Sequence, residues 1–201
     1  MPFIVNLILF TIFSLPGFIQ DQDAVFAKKL QDHYKTVNSI SADFMQRKQS
    51  LLFDEPLVSK GLFYYENPDK IRWEQLTPSA NYFILNKEEV IQFDGKSVKK
   101  SAGLNMQMSI FRQFIVSTVD GSILNDPSFE KSFQSKNGKM RISLVPLDKR
   151  MAKRLVKIEL TFDEQTLLLD QLKMYESQED FTEISFTNQK INTSIPESIF
   201  Q

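Results

Sequence analysis

From Ser39 onward, apolar side chains recur at every second position. Within Ser39–Gln49, Ile40, Ala42, Phe44 and Gln46 point one way and Ser41, Asp43, Met45 and Arg47 the other, the pattern of a strand. Residues 61–65 and 70–76 read as a hairpin about Asn67-Pro68-Asp69, and 82–85 with 89–93 as a second about Asn86-Lys87. Asp94-Gly95 marks a further turn. Within the first hairpin, Ile71 and Trp73 share one face while Arg72 and Glu74 share the other. In the second half, Met140, Ile142 and Leu144 alternate with Arg141 and Ser143. Val156, Ile158, Leu160 and Phe162 alternate with Lys157, Glu159, Thr161 and Asp163. Residues 167–175 and 181–188 complete about nine or ten short strands, which predicts an antiparallel sheet with one apolar face.

Two segments carry the helical period instead. Residues 24–37 place Val25, Leu30, Tyr34 and Val37 on a stripe, with Asp23 as the expected N-cap. Residues 105–118 carry Met108, Phe111 and Ile115 in line with Leu104, and Met106, Ile110 and Phe114 beside them. Arg112 is the only charge there, so this helix must lie against apolar surface. A sheet of this many strands curls, and its apolar face needs a cover. The expected fold is therefore mainly β (α+β): a curved, incomplete antiparallel β-barrel with helices covering the open apolar face. No repeat, linker or low-complexity tract divides residues 21–201, so one domain is expected. Residues 1–20 hold no charge, and an apolar run from Phe3 to Phe13, interrupted by Asn6 and Thr11, stops at Pro16-Gly17. It is short for a membrane span and reads as a signal peptide.

Composition removes most chemistry. A formal net charge of -1 lacks the basic footprint of a nucleic-acid binder. The absence of Cys rules out disulfides, thiolate metal sites, a Cys nucleophile and lipidation at an N-terminal Cys. His33 is the only histidine and has no second ligand at useful spacing, so it reads as a surface or satisfied helix residue. Neither G-x-S-x-G, H-E-x-x-H nor a phosphate-binding glycine loop occurs. The acidic pairs Asp54-Glu55, Glu88-Glu89, Asp163-Glu164 and Glu179-Asp180 fall at predicted turns and read as solvated carboxylates. Lys149-Arg150 with Lys153-Arg154 reads as a solvated loop or a docking point for an acidic partner or anionic lipid. No catalytic constellation results, and no enzyme, metal or cofactor is expected.

What remains is apolar surface. Phe44, Phe63, Ile71, Trp73, Ile84 or its neighbour Phe83, Phe93, Met106, Met108, Phe111, Phe114, Ile142 and Leu144 form either a core or the wall of a cavity. Periodicity does not choose between the two.

One resemblance bears on that choice. Phe44-x-Gln46, Gly61-x-Phe63, Pro68-x-Lys70-Ile71-Arg72-Trp73 and Pro78 occur in the order seen in the LolA family of periplasmic outer-membrane lipoprotein carriers. Asn86 to Phe93 before Asp94-Gly95-Lys96, and Ile184-Ser185-Phe186 through Ile195-Pro196 to Phe200, are similar to that family too. Each motif is degenerate, but the ordered set runs from about Ala24 to Phe200. The resemblance implies an incomplete barrel closed by a helical lid over an acyl-chain cavity, which the twelve apolar positions would line. It implies a monomeric carrier that collects lipoproteins from an inner-membrane ATP-driven exporter and delivers them to an outer-membrane acceptor. Other amphiphiles, such as a glycolipid or polyene lipid, and a lipid-sensing role remain alternatives. There is one departure: Asn67 stands where the family's carriers place an arginine that helps latch the lid.

Overall fold

The structure is a computed structural model that describes residues 17–87, 89–103, 106–119 and 121–201, with side chains of its two long helices described from Asp23 and from Arg112. The expected signal peptide lies mostly outside the described residues, as does Glu88.

Helix α1 (Gly17–Tyr34) precedes six strands in a meander: β1 (Ser39–Gln49), β2 (Leu57–Glu66), β3 (Lys70–Thr77), β4 (Asn81–Asn86), β5 (Glu89–Phe93) and β6 (Val98–Ala102). Helix α2 (Met106–Val119) and a 3-10 turn at Ser122–Asn125 lead to β7 (Phe129–Lys136), β8 (Lys139–Pro146), a short helix α3 (Lys149–Ala152), β9 (Lys157–Asp163), β10 (Leu169–Tyr175) and β11 (Phe181–Ile191). All eleven strands among the described residues form one antiparallel sheet in the order β6-β5-β4-β3-β2-β1-β11-β10-β9-β8-β7. Strand β1 lies at its centre, pairing β2 on one side and β11 on the other. The sheet is not closed: β6 and β7 are its free edges. The connection between them has to pass from one edge to the other, and it carries α2.

Most strands bury alternate residues on one side of the sheet, and that side faces the interior. Ser59, Gly61, Phe63 and Tyr65 are buried on β2; Met140, Ile142, Leu144 and Pro146 on β8; Ile158, Leu160 and Phe162 on β9. These inner residues merge with Phe26, Leu30 and Tyr34 of α1 and Ile115 of α2 into the main core. The predicted mainly β, open architecture is the one found.

Several details differ from expectation. Helix α1 begins before Asp23, which sits inside the helix and does not cap it. Phe26, not Val25, shares the buried stripe with Leu30 and Tyr34; Val25 is 59% exposed. Spacing explains this, since 26, 30 and 34 step by four residues and stay on one face, whereas 25 does not. Two strands, β6 and β7, carry no clear alternation in the sequence. They are the two edges. Every residue of β6 is exposed, and on β7 only Phe129, Lys131 and Phe133 are half-buried, an alternation with just two apolar members.

The outer face is not uniformly polar. The C-terminal 3-10 turn Glu197–Phe200 folds back onto it, and Phe200 (1% exposed) covers Ile84 and Ile91 in a second small cluster. Arg72 Nη1 donates to the Ile199 carbonyl at 3.1 Å, and Asn86 Nδ2 to that of Phe200 at 3.3 Å. Lys70 bridges Glu66 at 2.9 Å and Glu197 at 2.6 Å.

Candidate functional site

The hairpin register sets the site. Phe63 lies opposite Trp73, and Trp73 opposite Phe83; Phe44 lies opposite Gly61 on one side and Phe186 on the other. Four of these rings meet on the inner face. Phe44 stacks on Trp73 with centroids 4.2 Å apart and planes at 29°. Phe63 meets Trp73 edge-on at 5.8 Å, and Phe186 closes the group at 6.5 Å from Trp73 and 6.0 Å from Phe63. Gly61 makes the stack possible. A Cβ there would come 2.6 Å from the Phe44 ring and would collide with the Glu74 carbonyl oxygen. The motif Gly61-x-Phe63 therefore encodes a place for Phe44 to lie flat across its neighbour strand. Trp73, Phe83 and Phe186 are only half-buried, unlike Phe44 and Phe63. Contact of this kind is broad and non-directional.

The structure divides the twelve candidates. Phe44, Phe63, Ile71 and Trp73 share the aromatic half of the inner face. Ile142 and Leu144 lie on the same face in the other half, each 0% exposed and packed as core. Phe114 is half-buried against that core from α2. The side chains of Met106, Met108 and Phe111 lie outside the described residues, although their backbone is helical. Ile84 and Phe93 are corrected: they sit on the outer face. Ile84 pairs with Arg72, and Phe93 with Tyr82, on which it stacks at 5.4 Å. A strand turns over at each residue, so Ile84 cannot face inward once Phe83 stands opposite Trp73. Phe83 and Phe186 are half-buried inner-face rings not among the twelve. The hairpin register pointed to Phe83, and alternation with Ile184 pointed to Phe186.

Helix α2 is held over this face at the end carrying the β2–β3 turn. Arg112, the only charge on α2, donates from Nη2 to Asp69 at 3.2 Å and from Nη1 to the Lys87 carbonyl at 3.5 Å. Both ionic partners are half-buried, with 28% and 21% of their side chains exposed. Asn67, at the expected latch position, donates its backbone N–H to the Asn38 carbonyl at 2.8 Å. The polarity is thus inverted: the turn supplies a carboxylate and the helix supplies the arginine. Arg72, on the outer face, pairs with Glu74 at 2.9 Å and stacks its guanidinium 4.3 Å over Tyr82, far from that task.

The space under the C-terminal end of α2, bounded by Tyr34, Phe63, Thr118, Val119, Leu169 and Phe186, is only about 30 Å³. That is room for about one water molecule, not an acyl chain. A larger depression of about 690 Å³ lies elsewhere and is open and polar, with Ser41, Asp43, Asn188 and Lys190 around it.

Catalytic features are few. His33 is half-buried beside Tyr34, its Nε2 has no hydrogen-bond partner among the described residues, and burial pushes its pKa below the ordinary value. The sequence reading of a surface or satisfied helix residue is met by neither part: the ring is half-buried and its Nε2 unbonded among the described residues. The turn carboxylates hold backbone: Asp163 accepts from Gln165 and Thr166 N–H, and Asp180 from Leu51 N–H. Those bonds hold both carboxyls below the usual range. Among the described residues no cluster of three or more His, Asp or Glu is placed to hold a metal ion. No described helix is long and apolar enough to cross a membrane.

The chain is similar to several known proteins. An outer-membrane lipoprotein carrier protein of Pseudoalteromonas translucida is 21% identical over 195 residues, covering 97% of this chain and 88% of that protein. The complex structure of Pseudomonas aeruginosa MucA/MucB contains a chain similar in fold, with a TM-score of 0.56 at 14% identity, covering 90% of this chain and 60% of that one. A LolA superfamily protein from Nitrosomonas europaea matches with a TM-score of 0.47 at 8% identity, over 89% of this chain and 96% of that one. The sequence model of the family described as outer membrane lipoprotein carrier protein LolA matches residues 35–201, and the chain belongs to that family of carrier and binding proteins.

Proposed function

We propose that this protein is a periplasmic carrier that shields the acyl chains of lipoproteins on its inner aromatic face and ferries them from the inner to the outer membrane. Residues 1–20 would act as the export signal. An ATP-driven exporter would load the carrier and an outer-membrane acceptor would unload it; no catalytic step is required of the carrier itself. The observation that carries the reading is the inner-face ring cluster of Phe44, Phe63, Trp73 and Phe186, in which Trp73 and Phe186 stay half-buried beside the apolar helix α2. Each CH₂ left in water costs about 0.8 kcal/mol, so a multiply acylated anchor needs an extended apolar wall rather than a few polar contacts.

The small enclosed volume supports a carrier at rest with its lid down. Loading then requires α2 to move, and the Arg112–Asp69 pair is the contact that must open. A partly exposed ion pair is weak enough to open reversibly, at roughly 1 kcal/mol. The Met and Phe side chains of α2 at 106, 108, 111 and 114 would complete the wall over the cargo.

Trp73 is the only tryptophan in the chain, so its fluorescence reports the wall directly. A fatty acid carrying a spin-label quencher on its chain is expected to quench Trp73. Trp73→Glu should fold and lose uptake of a fluorescent fatty acid. Unquenched Trp73, unchanged uptake in Trp73→Glu, or absence of lipid in extracts of the mildly purified protein would remove the carrier reading. A second reading, a carrier of another amphiphile, is favoured by one observation, the replacement of the expected latch arginine by Asn67. Mass spectrometry of the extracted lipid separates the two.

A further inference from the structure

The β8–β9 connection, LDKRMAKRLV from Leu147 to Val156, takes no part in the inner face. Every residue from Leu147 to Arg154 is exposed. It brings Lys149, Arg150, Lys153 and Arg154 together with the exposed apolar side chains Leu147 (61%), Met151 (37%) and Val156 (41%). Elsewhere the protein neutralises many of its cations: Lys70 and Lys139 each bridge two carboxylates, and Lys157 and Lys173 one each. Among the described residues none of the four loop cations has an ion-pair partner. Asp148, the one acid in the loop, is spent on the backbone: its carboxylate accepts from Arg150 and Met151 N–H, both at 2.9 Å. In a chain of net charge -1 this leaves a local excess of positive charge among apolar side chains.

The strand register shows what shares this end of the sheet. Lys157 lies opposite Tyr175, Tyr175 opposite Phe181, and Phe181 opposite Gln49. The β8–β9 connection therefore stands at the same end as the β1–β2 loop. That loop exposes Leu51 (73%), Leu52 (86%) and Phe53 (43%) in sequence. Its strands run past β3, which ends at Thr77 opposite Lys60, so the hairpin projects. Four strands intervene at most, a span on the order of 20 Å. The acids nearby are Asp126, which holds Ser128 N–H, and exposed Glu130 at the start of the adjoining β7, Asp54 and Glu55 after the apolar tip, and Glu176, Glu179 and Asp180 in the β10–β11 turn. Asp180 holds Leu51 N–H and Glu176 lies 3.9 Å from Lys48. The Arg112–Asp69 contact lies at the opposite end of the strands.

We propose that this end of the barrel docks on an anionic bilayer surface. The four cations of the β8–β9 connection meet lipid phosphates, and Leu147, Met151 and the Leu51–Leu52 tip enter the headgroup layer. A bilayer suits both elements at once because it is flat, extended, negatively charged and apolar just beneath its charge. An acidic protein would answer the cations but leave the Leu-Leu-Phe tip in water.

Co-sedimentation of the full-length mature chain with phosphatidylglycerol-containing vesicles and with pure phosphatidylcholine vesicles tests this. Salt-sensitive binding to the anionic vesicles is expected, with little to the neutral ones. Replacing Lys149, Arg150, Lys153 and Arg154 by Gln should weaken it by two to three orders of magnitude, about fivefold for each cation removed. Leu51→Ser with Leu52→Ser should weaken it without changing its salt dependence. All six positions are exposed, so the variants should keep the parent melting temperature and take up fluorescent fatty acid normally. No sedimentation at low salt, equal sedimentation of the four-Gln variant, or capture of the basic loop by an acidic polypeptide with vesicles ignored would overturn the proposal. Trp73→Glu should still bind the vesicles, which separates failure here from failure of the carrier reading.

Discussion

Strands β1 to β5, with Phe186 of the adjoining β11, and strands β8 to β10 present inner faces to the same interior, yet they fill it with different chemistry. The second set contributes Ile142, Leu144, Ile158, Leu160 and Phe162, all 0–2% exposed. Helix α1 packs there, with Tyr34 edge-on to Phe162 at 6.3 Å and its hydroxyl, its pKa raised by burial, bonded to the Leu169 backbone. The first set contributes rings, and Trp73 and Phe83 remain half-open. Among the described residues, helix α2 is tied to that half through Arg112, by its ion pair with Asp69 and its hydrogen bond to the Lys87 carbonyl. Branched aliphatic side chains interdigitate to crystal-like density and leave nothing to bind. Flat rings stacked across strands keep an accessible face. One half therefore reads as the part that holds the fold and the other as the part that can exchange its cover.

The strongest way to break that division is at Gly61. Gly61→Val drives a side chain into Phe44 and the Glu74 carbonyl, and is expected to cost about 3 kcal/mol or more. Denaturant unfolding would show it; a variant as stable as the parent would mean that the stack does not depend on the missing Cβ. Leu144→Ala comes next. It should lose about 2–5 kcal/mol while the folded molecules bind fatty acid as before, because Leu144 belongs to the closed half. Phe186→Ala should do the reverse, costing only about 1 kcal/mol but weakening uptake, because its ring is half-open. If both variants change stability and uptake in proportion, the two halves are one core.

Smaller effects sharpen the picture. Asp69→Asn and Arg112→Gln should each cost about 1 kcal/mol or less and speed fatty-acid uptake in stopped-flow measurements, with no further gain in the double variant. Additive rates would show that the two residues act separately. The least effect concerns His33. Burial lowers its folded pKa, so below about pH 6.5 the unfolded chain takes up the proton before the folded one does. Stability is complete above that pH and falls as the pH drops through the window below it. Replacing His33 with Gln should flatten this slope in melting temperature against pH; an unchanged slope would assign it to other groups.

Much of this molecule was open to reading from its residues. Alternation named nine strands and the separation of Ile71 and Trp73 from Arg72 and Glu74, because one-sided burial writes a period of two into any strand that bears it. The ordered family motifs named the turn at Asn67 and the C-terminal run to Phe200. Edge strand β6 went unread because solvent on both faces imposes no period, and β7 because its half-buried face carries only two apolar residues, Phe129 and Phe133. The inward choice of Phe83 over Ile84 depended on cross-strand register, and the outward burial of Ile84 on a C-terminal segment more than a hundred residues away. Phe186 joined the rings only through the pairing of β11 with β1. The arginine that holds α2 is 43 residues from its carboxylate, a separation at which spacing says nothing. Local pattern reports whether a side chain is buried, since burial selects residue type position by position. Which buried surfaces meet is set by strand pairing and chain crossing, and those are properties of the folded whole.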